Sequence, residues 1–279
     1  MLSHELERIL YRILSGKTLL KNLDVEVRSP SLDLLYEAEE IYCELYDKKG
    51  TLTREELKEK LILNDIISRE DINFLKEFNK VLENLQKELF THFVSLNADP
   101  IRSLIKQLRA KQDKILLELS KYESYSKEGM ASYAKSIFLI KNTTYRNGNM
   151  YNFSDKLPIS ILSELNKCSI SNEIIRLLSR KSSWTNTWYS LRDSTIFSNI
   201  PTLEQQLLIM WSKIYDNIRE SSEAPDEDII NDDDALDGWL LIQKEEHKKK
   251  KAEDNQNKKI NSFSSKIKNS DEVFIIAKN

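Results

Sequence analysis

Glycine and proline are scarce in this chain, with five of each among 279 residues. Both residues concentrate in turns and are disfavoured inside helices, so their scarcity argues against a fold of many short strands and tight loops. Cysteine is scarcer still, since Cys43 and Cys168 are the only two and no C-x-x-C is present. This spacing excludes a disulfide framework and a cysteine-based zinc site.

Long apolar runs are also missing from the sequence. No stretch approaches the roughly 18 uninterrupted apolar residues that a membrane-spanning helix needs. The N-terminal MLSHELERIL mixes charged residues into a helical pattern, whereas a signal peptide has an apolar core. We therefore expect a cytoplasmic protein without a membrane partner, and the net charge of -3 provides no global attraction to nucleic acid.

Catalytic and metal-binding motifs are the third absence. The chain has no G-x-S-x-G turn, no glycine-rich phosphate loop and no repeated Glu-x-x-His pair. The segment LYDKKGTLTREE resembles a calcium-binding loop, but Leu45 and Lys49 occupy positions that require oxygen ligands. An ordinary capping box from Thr53 to Glu56 explains that segment. We expect no catalytic residue, metal or cofactor, with an enzyme lacking a recognisable motif as the remaining alternative.

The chain does contain strong helical periodicity. A narrow apolar seam, with steps of three and four residues, runs along roughly 27 Å of one predicted helix at 1.5 Å per residue. A turn at Asn97–Pro100 precedes a second periodic helix, which predicts an antiparallel hairpin of about 50 residues. Pairing of the seam within the chain is favoured by this turn, and pairing between chains is the alternative. The seam consists of Leu75, Phe78, Leu82, Leu85, Leu89 and Phe93.

Turn-forming and aromatic residues from Asn142 to Ser154 indicate a loop or short hairpin between two helical halves. This boundary predicts an N-terminal helical domain at 1–142, a helical subdomain at 155–222 and a charged docking segment and tail at 223–279. The expected fold is an all-α helical bundle with a long antiparallel helical hairpin, coiled-coil packing and a charged flexible C-terminal region, in which the terminal residues are a candidate short strand.

The C-terminal segment changes abruptly in character. Residues 223–237 contain eight Asp or Glu and no Lys or Arg, and Lys248–Lys251 follow a predicted helix at 235–247. Residues 252–270 suit a flexible linker, and the terminal VFIIA suits docking by strand addition. The helix either docks onto its own core or is presented to a partner protein. The predicted partner-binding residues are Leu236, Trp239, Leu240, Val273, Phe274 and Ile275.

Basic and aromatic residues alternate in a second segment, which is typical of contact with single-stranded nucleic acid. The simpler interpretation is that the two tryptophans, one helical turn apart, are buried in the core while the arginines remain in solvent. Arg102 and Arg109 in the hairpin likewise fit a solvated helix face. The candidate nucleic-acid contacts are Arg176, Arg180, Trp184, Trp188 and Arg192.

The segment SSEAPDEDIINDDDALDGWLLIQKEEHKKKK, followed by a polar linker and DEVFII, resembles accessory proteins of the structural modules of large tailed bacteriophages. Those near the tail genes act as assembly chaperones or minor virion components. The resemblance implies binding to other phage structural or assembly proteins, no catalysis, and a location in the host cytoplasm or the virion. Self-association is a further option, and a nucleic-acid-associated factor in replication or transcription is the second hypothesis. The resemblance rests on Asp232, Asp233, Asp234, Asp237, Gly238 and Trp239.

Overall fold

The computed structural model describes residues 3–48, 50–95, 98–153, 157–191, 196–197 and 201–268. These residues are mostly helical and include one small four-stranded sheet, which confirms the predicted helical fold class. The helices are α1 Ser3–Ser15, α2 Leu32–Tyr46, α3 Arg54–Leu63, α4 Arg69–Thr91, α5 Ala98–Ser120, α6 Lys127–Thr143, α7 Leu157–Lys167, α8 Asn172–Ser179, α9 Ser182–Leu191, α10 Leu203–Glu220, α11 Glu227–Asn231 and α12 Asp233–Lys268. The strands are β1 Lys17–Leu20, β2 Val25–Arg28, β3 Thr144–Arg146 and β4 Asn149–Met150.

The chain divides into two compact units. Unit 1 consists of Met1–Lys76 and Ala110–Ala224, and unit 2 consists of Glu77–Arg109 and Pro225–Asn279. This division differs from the domains predicted at 1–142, 155–222 and 223–279. One reason is packing across the predicted boundary, because Ile161 is buried in the same cluster as Leu20, Val25 and Ile140.

The sheet of unit 1 is antiparallel, in the order β1-β2-β3-β4. Strands β3 and β4 form the short hairpin that was one of the two structures predicted for residues 142–154. Asn147 and Gly148 form its turn with φ values of 51° and 83°, as a two-residue turn with two positive φ angles requires. The core beside the sheet contains four buried apolar residues, Leu20, Val25, Ile140 and Ile161.

The predicted α4–α5 hairpin is present in the structure. The Arg102 guanidinium carbon lies 5.2 Å from the centre of the Phe93 ring, and the Lys111 ammonium nitrogen lies 4.4 Å from the centre of the Phe74 ring. These two contacts pair the ends of the helices in antiparallel order. The apolar seam is therefore paired within the chain, since its residues from Leu82 to Phe93 pack with Ile101 and Ile105 of α5.

Unit 2 adds a third helix to the hairpin. Its buried cluster combines hairpin residues with Ala235 of α12, and Ile229 of α11 packs against it. Each large aliphatic side chain buried in this way contributes roughly 1.5–3 kcal/mol relative to an exposed one. The buried members are Leu89, Ala98, Ile101, Ile105 and Ala235, with Leu82, Leu85, Phe93 and Ile229 at the margin.

Helix α12 is longer than the sequence predicts. The predicted helix ends near His247 and is followed by a flexible linker, whereas the structure continues the helix to Lys268. Residues 252–268 contain no glycine or proline and include several good helix formers, so composition allows the helix to continue. The predicted terminal strand lies outside the described residues.

Candidate functional site

The first turn of α12 is fixed by the side chain of Asp232. Its Oδ1 accepts hydrogen bonds from the backbone N–H groups of Asp234, at 3.2 Å, and Ala235, at 3.1 Å. Its Oδ2 accepts from Nε and Nη2 of Arg102, at 3.1 and 3.0 Å. The same carboxylate therefore caps α12, where negative charge is favoured by the helix dipole, and ties it to α5.

Two further aspartates of α12 continue this contact. Asp234 accepts two hydrogen bonds from Arg109, and its Oδ1 also accepts one from Nε2 of Gln86 at 2.9 Å. The same Gln86 amide nitrogen lies 3.3 Å from Oδ2 of Asp237, and Gln86 is buried. We call these six residues the acidic clasp: Asp232, Asp234, Asp237, Gln86, Arg102 and Arg109.

The acidic clasp corrects the interpretation of Arg102 and Arg109 as residues of a solvated helix face. Both are partly exposed, and both are paired with aspartates more than 120 positions later in the chain. Sequence spacing could not reveal these pairs. The available signal was the concentration of eight acidic residues at 223–237, a stretch that contains no Lys or Arg.

Gly238 permits the close approach of α12 to α4. A Cβ atom at this position would lie 2.0 Å from the carbonyl oxygen of Gln86, far inside van der Waals contact. Alanine is favoured over glycine inside a helix by about 1 kcal/mol, so helix propensity alone does not explain the residue. The D-x-D-x-x-D-G-W pattern at Asp232–Trp239 is thus a docking sequence for the hairpin of the same chain.

The predicted partner-binding residues have different environments. Leu236 is completely buried and Trp239 is 7% exposed, so the structure has the docked form of this segment. Leu240 is partly exposed. Val273, Phe274 and Ile275 lie outside the described residues. Partner binding by any of these side chains remains a prediction.

Beyond the docked turns, the residues of α12 up to Asn255 are exposed. Glu245 forms an ion pair with Lys87 of α4, and this hydrogen bond holds the pKa of Glu245 below its ordinary value. Every residue from Lys244 to Asn255 is exposed, including the four lysines Lys248–Lys251. We call Lys244–Asn255 the distal arm.

Three of the five candidate nucleic-acid residues, Arg176, Trp184 and Trp188, are buried in unit 1. Trp184 is completely buried and donates from Nε1 to Oγ of Ser212 at 2.7 Å, while Trp188 is 3% exposed and donates to Asp216 at 2.6 Å. The buried Arg176 guanidinium lies 4.0 Å from the centre of the Trp211 ring.

Neither tryptophan therefore offers a free ring face for base stacking, and burial of the tryptophans, the simpler interpretation, is correct. Arg176 departs from that interpretation, since it is buried with them instead of remaining in solvent. Arg180 is partly exposed, with its guanidinium 5.2 Å from the centre of the Tyr215 ring, and Arg192 lies outside the described residues.

Comparison with protein-family models, curated proteins and solved structures finds no match for this chain. In the described part of the chain, no helix combines the length and apolarity needed to cross a membrane.

The described residues were also compared with the side-chain groups that metal binding and catalysis require. No three His, Cys, Asp or Glu side chains among them are grouped as a metal site. Glu56, the last residue of the calcium-like segment, instead accepts a hydrogen bond from the Thr53 backbone at 2.7 Å, which lowers the pKa of the Glu56 carboxyl. A cleft of about 400 Å³ in unit 1 includes Cys168 and an Arg12–Glu204 ion pair of 2.9 Å, but its lining contains no histidine to act as a base.

Proposed function

We propose that this chain is a non-catalytic assembly protein of a tailed-phage type of particle, and that it binds a structural or assembly protein through the distal arm. The phage part of the proposal is supported by the resemblance of the C-terminal segment. The protein-binding part is supported by the geometry of α12.

The observation that carries the proposal is the contrast along α12. The helix begins in the acidic clasp, with Leu236 completely buried, and continues as the exposed distal arm. Helices in isolation are of marginal stability, because most helical stability in proteins comes from packing of one face. An exposed helix of this length therefore stands to gain stability from a partner that covers it.

The charges of the distal arm favour a protein partner of mixed charge. Lys248–Lys251 lie between Glu245–Glu246 and Glu253–Asp254, so both signs alternate along the helix. Alternating charges of this kind select partners and set helix register in coiled-coil contacts. We therefore expect a helical partner with complementary charges.

The test is an affinity pull-down of the tagged 279-residue chain from its native expression context, with nuclease treatment and mass spectrometry. The shortened variant, which ends at His247, removes most of the distal arm together with residues 256–279 and keeps the acidic clasp. A control variant ending at Asn255 keeps the distal arm and removes only those last residues. Binding that is lost with the first and kept by the second belongs to the arm, and retention of the clasp separates loss of binding from loss of folding. Circular dichroism of both proteins checks the second point. A variant ending at 231 would instead remove the clasp and expose the core of unit 2.

The proposal is supported if the full chain retains structural or tail proteins after nuclease treatment and the shortened variant loses them. The same proteins should also bind the full chain again when both are purified. Retention of the same proteins by the shortened variant would contradict binding through the arm. Recovery of no particle protein at all would contradict the assembly role.

A second candidate function is a nucleic-acid-associated factor in phage replication or transcription. The observation that favours it is the exposed run Lys248–Lys251, since exposed lysines can neutralise phosphates. Binding to nucleic acid that weakens steeply with salt, and that is lost when these four lysines are replaced, would make this the better account.

A further inference from the structure

Unit 2 contains a groove beside the acidic clasp, and Gln86, Arg109 and Asp237 of the clasp form part of its polar wall. Leu82 of α4 and Leu240 and Leu241 of α12 line it, and all three leucines are partly exposed. The groove has a volume of about 420 Å³, within the range of pockets that hold a ligand of drug size. We call it the leucine groove.

A row of lysines leads out of the leucine groove along α12. Lys244 lines the groove itself, and Lys248 and Lys251 follow on the same helix face at spacings of four and three residues. Glu83 lies on the α4 wall and disfavours negative charge there. An occupant suited to this site has an apolar stretch for the leucines and acidic residues directed towards the lysines.

The chain itself contains such a segment. Asp271 and Glu272 directly precede Val273, Phe274, Ile275 and Ile276, so two carboxylates adjoin four large apolar residues. This segment lies outside the described residues. The segment has its charges before its apolar residues, whereas α12 has Leu240 and Leu241 before the lysines. The two patterns are therefore complementary when the segment runs antiparallel to α12.

The length of α12 prevents the segment from reaching the groove of its own chain. Lys268, where the helix ends, lies about 40 Å along the axis from Leu241 at 1.5 Å per residue. An extended chain from Lys268 to Phe274 spans at most about 22 Å. The groove is thus accessible to this segment only from a second copy.

We propose that the leucine groove binds the segment 270–276 of a second copy of this chain. The interface is head-to-tail, because the groove of one copy receives the tail of the next and leaves its own tail free. Such heterologous contacts produce rings or open chains of subunits. This self-association shares Lys244 and Lys248 with the distal arm, but only self-association requires the segment 270–276. Phe274→Asp removes self-association and leaves the distal arm unchanged, so failure of one proposal is distinguishable from failure of the other.

The first test measures binding of a fluorescent peptide of residues 269–279 by anisotropy. The receptor is the 279-residue chain carrying Phe274→Asp, which disables its own tail. The paired charge reversal Lys244→Glu with Lys248→Glu should weaken binding by on the order of tenfold or more, since two favourable charge contacts become repulsive. The matched control is Lys249→Glu with Lys250→Glu, which makes the same charge change on the opposite face and should leave the affinity within about twofold.

A peptide carrying Asp271→Lys and Glu272→Lys should regain affinity for the Lys244→Glu, Lys248→Glu receptor. Absence of saturable peptide binding, or equal weakening by the two lysine pairs, would overturn the proposal. All four lysines are exposed, so these reversals test the site without removing any buried side chain.

The second test uses sedimentation velocity on the whole chain. The Phe274→Asp chain and the Lys244→Glu, Lys248→Glu chain should each be monomeric, whereas their mixture should form dimers only, since one groove and one tail remain intact. The unsubstituted chain should form larger species with rising concentration. A mixture that stays monomeric would refute the head-to-tail interface.

Discussion

Arg109 holds Asp234 through two parallel hydrogen bonds, from Nη1 to Oδ2 at 2.9 Å and from Nη2 to Oδ1 at 2.5 Å. This two-pronged geometry fixes both the distance and the orientation of the carboxylate, which a lysine could not do. Asp234 also accepts from the buried Gln86, so one carboxylate joins α12 to both helices of the hairpin.

We expect Arg109→Ala to lower the free energy of unfolding by about 1–2 kcal/mol, because Asp234 loses its charged partner while remaining largely buried. Arg109→Lys should recover only part of this loss, since it restores the charge without the second hydrogen bond. Urea unfolding followed by circular dichroism measures both. Lys106→Ala, at an exposed position one turn earlier on α5, is the control and should change stability by less than about 0.5 kcal/mol. Equal losses at the two positions would show that the clasp adds nothing to stability.

Gly238→Ala should destabilise the protein although alanine is the better helix former. The added Cβ would lie 2.0 Å from the Gln86 carbonyl oxygen, so α12 or α4 must shift. Overpacking of this kind costs about 1–3 kcal/mol, which exceeds the propensity gain of about 1 kcal/mol. Thermal unfolding measures the change. Asn255→Ala, at an exposed position of the same helix, should be neutral or slightly stabilising, and a stabilising Gly238→Ala would contradict the close helix approach.

Ser212→Ala should destabilise unit 1 by about 1–3 kcal/mol, because the buried Trp184 Nε1–H loses its acceptor and no water can replace it without repacking. Ser190→Ala is the matched control, since that hydroxyl is exposed and bonds within its own helix. Urea unfolding monitored by tryptophan fluorescence reports both variants. A loss at Ser190 as large as that at Ser212 would argue against a special role for the buried bond.

The capping box of α3 should make a pH-dependent contribution to stability. Hydrogen bonds from Thr53, first from its backbone N–H, hold the pKa of Glu56 below its ordinary value of 4.5. A carboxyl with a lowered pKa in the folded state stabilises the protein above its unfolded pKa, and this contribution disappears as the pH falls through the folded pKa.

Glu56→Gln should therefore have a lower Tm than the unsubstituted chain at pH 7, and the two Tm values should converge as the pH falls below about 4.5. Thermal unfolding from pH 7 to pH 3 tests this expectation. A Tm difference that stays constant over that range would show that the charge of Glu56 does not contribute. Glu59→Gln, on the same helix and without a resolved capping contact, serves as the comparison.

Sequence periodicity predicted the hairpin well because the apolar residues from Leu75 to Phe93 recur at helical spacing and a turn separates them from their partner. It also predicted the residue that caps α3, since a capping box depends only on local sequence. In each of these features, the residues that form the pattern follow one another at intervals of a few positions.

The rest of the fold depends on contacts that local patterns do not encode. The pairing of β2 with β3 and the acidic clasp both join distant segments, so the domain boundaries and the role of Arg102 could not be read from spacing. Composition underestimates the length of α12, because the polar residues that predict a flexible linker are also compatible with a helix.

The discontinuity of unit 2 has a consequence for synthesis on the ribosome. Arg102 and Asp232 are 130 positions apart, so at 5–20 residues per second the hairpin emerges roughly 6–26 s before the helix that completes its core. During that interval, Ala98, Ile101 and Ile105 lack their contact with α12. The nascent chain thus passes through a stage in which an apolar helix pair is open to chaperones, to misassociation or to a partner that arrives before α12 does.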